Sequence, residues 1–447
     1  MEGGSSVPAA SRRLDVLDIL RGLAIVGTFG TNVWIFTNPA GPPDALASLP
    51  SLDSLAGAVE TAIRFVFNGK ALALLTLLFG VGLELQYRSA RRRGNRWPGW
   101  YLWRAGLLFC EGLLHYVLVF EFDVLMGYAV ASMVVAYLVG RSDRAVRWWM
   151  VGAGTLHVAF ISLLTLGLLA TPPEVKEQPL VAPSRPDLFS HGGYAEQVAD
   201  RLALAPAYRS ESVLIMPLCI VLFLAGSRLL RAGAFEDSTR GATVRRRLMT
   251  LGFGVGLPLN VLTTFAGPDW SLVDRYLLPP LVALGLLGLV TTVTYRTRDA
   301  RRAGGPLRRG FIAVGRTSLS CYVLQNLVAS VLCYGWGLGL ASRLDGLRPW
   351  WVPGAWLGIC ALFTVLATWW LRRFERGPLE LVWHWAYQAP QRGRARVASA
   401  SAVGGTVDEA RVQVRESSLA SSTVSSAAGS ASRRSSGMGR PERTDRP

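Results

Sequence analysis

An all-α, polytopic membrane bundle is the fold this sequence predicts, and three observations predict it. Of the 447 residues, 51% are hydrophobic and 17% charged, whereas about a quarter of a soluble domain is charged. The mean hydropathy is +0.31. About ten apolar runs are long enough, at ~1.5 Å rise per residue, to cross a hydrocarbon core of about 30 Å. Strand-period alternation is missing from these runs, which argues against a β-barrel.

In chain order the runs cover about 19–38, 70–86, 102–121, 124–140, 147–170, 212–230, 248–266, 276–295, 317–341 and 352–372. The second and fourth are short enough for a tilted or partly re-entrant course. Arginines give the orientation. The even-numbered junctions hold Arg88, Arg91, Arg92, Arg93 and Arg96, then Arg141, Arg144 and Arg147. The later ones hold Arg240, Arg245, Arg246 and Arg247, then Arg296, Arg298, Arg301, Arg302, Arg308 and Arg309. Odd-numbered junctions are poor in them, so the positive-inside rule puts both termini in the cytoplasm of an inner (plasma) membrane protein. The first run, after Arg12 and Arg13, reads as a retained signal-anchor. The net charge of +17 is then topology signal plus a basic tail; the partner it implies is the lipid bilayer, not nucleic acid.

The predicted organisation is a cytoplasmic segment 1–18, a transmembrane domain 19–387 and a tail 388–447. The tail is rich in Ser, Ala, Gly and Arg, and cannot bury enough apolar surface to offset chain entropy. Residues 171–211 form the one long outer loop, Pro-rich at first and amphipathic through "YAEQVADRLALAPAY". Residues 53–67, with Glu60 and Arg64 opposite an apolar face, predict an interfacial helix leading into the second span. Cys110, Cys219, Cys321, Cys333 and Cys360 all fall in spans without a CxxC pair. They read as packing residues, and no metal site is expected.

The third run carries unusual charge. Arg104, Glu111 and His115 are seven and four residues apart, so at about 100° per residue they share one face. Arg104 falls at the inner end, Glu111 near mid-bilayer and His115 about two turns below the outer surface. Glu121 and Asp123 follow in the outer turn, where water is expected to reach them. His115 has two readings. It is polar glue between helices, or it is a general base that a nearby carboxylate orients. His157, without such a neighbour, reads as packing, and His191 as solvated.

Two further stripes accompany it. In the first run Asp18 and Arg21 are one turn apart and able to pair, and Asn32 lies three turns, about 16 Å, further out on the same face. Arg21 reads either as a snorkelling, paired arginine or as part of a site. The ninth run brings Arg316, Ser318, Ser320, Tyr322, Gln325 and Asn326 into an otherwise apolar helix.

Three blocks carry a resemblance. "RRLDVLDILRGLAIVG" holds Asp18, Leu20, Arg21, Gly22 and Ala24; the 104–129 stretch holds Arg104, Gly112, His115, Asp123, Leu125, Tyr128 and Ala129. "VGRTSLSCYVLQN" with "FERGPLELVW" holds Gly315, Arg316, Leu319, Tyr322, Gln325, Gly377, Pro378 and Glu380. In these the chain resembles the YeiB-like family of bacterial multipass membrane proteins, classed under a domain of unknown function (DUF418) and grouped with the transmembrane acyltransferases. The resemblance runs from 13 to 387, with its C-terminal block over about 212–387. Phe122 stands where the family usually has glycine, and His384 where it usually has another basic residue. Asn32 stands where related acyltransferases carry a histidine.

The resemblance implies transfer of an acyl group from a cytoplasmic thioester, with acyl-CoA as donor and no tightly bound cofactor, to a lipid, glycan or other acceptor at or across the membrane. His115 would then be the base or acyl carrier, oriented by Glu111 or Asp123. Arg21 and Arg316, with Asp18 paired to the former, would hold the donor's phosphates. Tyr322, Gln325 and Asn32 would donate to the oxyanion. The alternative is a transporter or channel for a small metabolite, lined by the same polar residues.

Overall fold

In the computed structural model the described residues are 9–47, 50, 52–172, 185–297, 305–390 and 413, and among them there is helix but no strand. The chain divides into Met1–Trp383 and His384–Pro447. Within the second unit, His384 and Gln388 meet at 2.7 Å. The tail expected beyond 390, the Pro-rich 173–184 and the arginines at 298, 301 and 302 lie outside the described residues.

Length and hydropathy qualify five helices to cross a membrane: Asp15–Phe36, Leu55–Arg92, Asp143–Ala170, Thr239–Phe265 and Trp351–Trp370. Two bent pairs raise the number to seven, Ala205–Leu214 with Met216–Ala232 at 43° and Pro268–Tyr276 with Pro279–Arg296 at 41°. Both bends precede prolines, Pro217 and the Pro279–Pro280 pair, which lack an N–H and clash with the preceding turn. The other three expected runs are helices as well. Leu125–Leu138 and Ser318–Cys333 are short, and Trp100–Leu118 has 19 residues that include Arg104, Glu111 and His115. The expected ten is therefore reached only by counting helices that length and composition alone do not qualify. The chain is an integral membrane protein built as a helical bundle.

Local chemistry sets several boundaries. Ser54 accepts from Gly57 N at 3.0 Å to start Leu55–Phe67, and Ser238 caps Thr239–Leu251 at 3.1 Å. Leu55–Phe67 buries none of its residues and pairs Arg64 with Glu60 at 3.1 Å. Asn68 and Gly69 break it from Lys70–Arg92, and Gly69 takes φ +67, which only glycine adopts cheaply. By hydropathy alone the two helices read as one apolar run.

Close approach uses small residues, as in membrane interiors generally. A side chain at Gly80 would strike the Phe223 carbonyl and one at Gly226 the Leu77 carbonyl, so the Lys70–Arg92 and Met216–Ala232 helices cross backbone to backbone. Gly22 and Gly315 do the same where Ala9–Phe36 meets Pro306–Arg316, against the Phe311 and Asp18 carbonyls. Two glycines from the first and third resemblance blocks are thus packing residues.

Candidate functional site

His115 and Asp123 form the centre. Trp100–Leu118 ends at Val119, the chain turns back through Phe120–Val124, and Leu125–Leu138 begins beside it. The turn folds Asp123 onto the helix it has just left, where its Oδ1 lies 2.9 Å from His115 Nδ1. Both side chains are inaccessible, at 1% and 0%. Gly112, one turn before His115, leaves the room: a Cβ there would stand 2.9 Å from Asp123 Oδ2 and would strike the Met126 amide. That amide donates to Asp123 Oδ2 at 3.1 Å. The G-x-x-H…D spacing of the second block is therefore a steric requirement of the pair.

The pair extends into a chain of polar contacts. Tyr322 O–H points at Asp123 Oδ1 from 3.5 Å. Asn326 Nδ2 faces His115 Nε2 at 3.4 Å, and its Oδ1 accepts from Asn32 Nδ2 at 3.2 Å. In the tautomer whose Nδ1 donates to the carboxylate, Nε2 accepts from the amide, so the ring is held between an orienting carboxylate and a donor. Asn32, Asp123 and Tyr322 line a chamber of about 70 Å³, and His115 reaches it only through its contact with Asp123.

The outer turn is dry, which corrects the expectation of water at Glu121 and Asp123. They are 0% and 1% exposed, because the loop expected to lie outside folds over them. Arg201, on the Tyr194–Ala203 helix, is 1% exposed and gives Nε to Glu121 Oε1 at 2.7 Å and Nη1 to the Val117 carbonyl at 3.2 Å. Burial works against its charge, but the Glu121 carboxylate outweighs that and holds the guanidinium above its ordinary range. Arg209 gives Nη2 to the Asp123 carbonyl at 2.6 Å. Phe122, in place of the family's usual glycine, packs edge-on against Tyr208 with ring centroids 5.9 Å apart. The Tyr194–Ala203 helix lies in the stretch read as amphipathic; its role as a cover over the turn was not legible.

The other candidates sit apart. Glu111 makes no described hydrogen bond to His115; its Oε2 is buried without a partner, and its charged neighbours are Glu380 and Asp123. Asp123, not Glu111, orients the ring. Arg21 pairs with Asp18 at 3.3 Å, and Arg316 adds a second cation beside Asp18. That group lies three turns of the first helix, about 16 Å, from Asn32. Gln325 is buried, with Nε2 unpartnered. Arg104 rests over the Trp383 ring at 4.5 Å. His157 bonds the Tyr276 carbonyl at 3.1 Å, and His191 is exposed, both as expected. Glu380 is a helix cap: its Oε1 accepts from Leu319 N at 2.8 Å and Ser320 N at 3.3 Å, and Gly377 leaves space for it.

Comparison with known proteins supports the resemblance. Residues 229–389 match DUF418, described as a protein of unknown function. The uncharacterized protein YxaH of Bacillus subtilis (strain 168) is 24% identical over 388 residues, 83% of this chain and 94% of that protein. The uncharacterized protein YeiB of Escherichia coli (strain K12) is 27% identical over 395 residues, 82% of this chain and 94% of that protein. An uncharacterized 39.9 kDa protein of the amylase 3′ region of Bacillus acidopullulyticus is 22% identical over 375 residues, 84% and 94% of the two chains. Residues 229–389 thus carry a DUF418 match, and along most of its length the chain is similar to YxaH and YeiB.

Proposed function

We propose that this protein is an inner-membrane acyltransferase in which His115, oriented by Asp123, is the base. The observation that carries the proposal is the buried 2.9 Å pair beside a chamber, a carboxylate facing a titratable ring. Glu111 keeps the acidic environment below it. In the proposed reaction an acceptor hydroxyl or amine attacks a thioester carbonyl while Nε2 takes its proton. The tetrahedral oxyanion is met by the Tyr322 hydroxyl and the Asn32 amide, with Gln325 Nε2 as a further donor. Collapse breaks the C–S bond, and the proton on His115 returns to the leaving thiolate. Asn326 yields its place at Nε2 to the acceptor.

The donor is acyl-CoA, its phosphates on Arg21 and Arg316 at the cytoplasmic end. Asp18 tempers that charge and fixes Arg21. A thioester on a long flexible arm is what spans the three helical turns from this end to Asn32. Purified protein in liposomes, given labelled acyl-CoA and a membrane extract, tests the reading: label should move into a lipid or glycan only when protein is present. A solute carrier is favoured by one observation, the two adjoining cavities. Protein-dependent solute flux with no label transfer would decide for it.

A further inference from the structure

Behind the chamber lies a second, larger space. It measures about 490 Å³ and is bounded by the Leu55–Phe67 helix, the 263–275 turn, Ala45, Pro50 and Leu52. The two spaces share Thr31, Ile35 and Arg275. Leu52, Trp34 and Phe65 give the larger one apolar walls, with Arg64 and Asp274 as a cation and an anion beside them. All of these segments belong to the arginine-poor junctions or adjoin them, so the path opens on the side opposite the cytoplasmic arginines.

Arg275 stands at the junction of the two spaces. It gives Nε and Nη2 to Glu211 Oε1 at 3.3 and 3.0 Å, and Nη1 to Asn68 Oδ1 at 3.3 Å. Tyr276 O–H also ends on Glu211 Oε1, at 2.6 Å. No described bond ends on Oε2, although Glu211 lines the chamber. A carboxylate with one oxygen triply satisfied and the other unused keeps an acceptor for an incoming donor. The chamber's charged groups are Asp123, Glu211 and Arg275, one cation against two anions. An anionic head would be repelled there, and an N–H or O–H head held.

We infer that the larger space is an outward-opening vestibule, and that Glu211, positioned by Arg275 and Tyr276, receives the hydrogen-bond-donating head, hydroxyl or ammonium, of an amphiphile whose apolar body fills the vestibule. This names the acceptor's class for the acyl transfer proposed above and rests on that reading for its role, but the site itself is tested without the reaction.

Thr31, shared by both spaces, is the reporter. In a Cys110→Ser background, which removes the exposed cysteine, Thr31→Cys is labelled with a membrane-impermeant maleimide in sealed vesicles of either orientation. Octyl glucoside, octylamine and octyl phosphate, below their micellar concentrations, serve as probes. Labelling should come from the arginine-poor side. Octyl glucoside or octylamine should slow it, by about tenfold as a bond to a charged group implies, and octyl phosphate should not. Protection by the glucoside alone assigns a hydroxyl head, and by the amine alone an ammonium head. Glu211→Gln should remove the protection while leaving labelling intact. Leu52→Trp, a change at a 44% exposed position, should slow labelling by filling the vestibule, and checks the path if Glu211→Gln fails to fold. Labelling only from the arginine-rich side, equal protection by octyl phosphate, or protection that survives Glu211→Gln overturns the inference. If protection holds and no label transfer is found, the acyltransferase reading fails and the site stands.

Discussion

Two buried carboxylates in this bundle have opposite surroundings. Glu84, 1% exposed, accepts from Arg88 Nε at 2.7 Å, Arg231 Nε at 3.0 Å and Nη2 at 2.9 Å, and Ser227 Oγ at 2.8 Å. Its two arginine partners are permanently charged, and it lines neither of the two cavities. Asp123 is equally buried, yet its carboxylate meets a histidine, a tyrosine and a backbone amide, and it faces the chamber. Arg209 reaches only its carbonyl. Guanidinium pairs hold helices together and do not exchange protons. An imidazole beside a carboxylate, next to a space for a ligand, is the arrangement the proposed base requires.

The comparison can be broken at either end. Glu84→Ala should have the largest effect on folding, because it strands Arg231 and Ser227 among buried neighbours. Breaking such a pair costs about 3–5 kcal/mol, to be read as loss of folded protein in detergent by thermal unfolding. Arg201→Ala should come next, stranding Glu121 under the outer helices, at about 3 kcal/mol. Protease should then cut between 190 and 212 more readily than in the wild type. Gly112→Ala should cost about 1–3 kcal/mol of overpacking and push Asp123 from His115, so activity should fall while the fold, read by circular dichroism, survives. The mildest is Glu380→Gln, which keeps an acceptor but loses charge at a helix N-terminus. About 0.3–1 kcal/mol is expected, seen as a small drop in Tm.

Much of this was legible because helical spacing is rigid. Asp18 with Arg21, His115 with its turn and Asn32 on its face follow from about 100° per residue, and the structure places them as pairs or neighbours. What one-dimensional spacing cannot provide is the partner on another helix. Asn326 belonged to a recognised polar stripe, but its contacts to His115 and Asn32 needed the fold. Glu111 shares a face with His115 and still does not bond it, since the turn brings Asp123 closer to the ring. Arg201, Arg209 and Arg275 were missed altogether, being assigned to a solvated loop and a turn. A signal was present: all three lie on the side the positive-inside pattern leaves poor in arginine. An arginine there has a local reason to exist, and each of these closes or borders the site.

The central claim, that His115 handles a proton whereas Glu84 only binds helices, has one direct test. His115→Gln keeps a hydrogen-bonding side chain and removes basicity. Wild type and variant, matched for thermal stability, are compared for the rate at which labelled acyl-CoA loses its label to a lipid or glycan. The account predicts a fall of roughly a hundredfold or more with Tm little changed. A variant that transfers label at the wild-type rate would contradict it, and would leave His115 as a structural partner of Asp123 and nothing more.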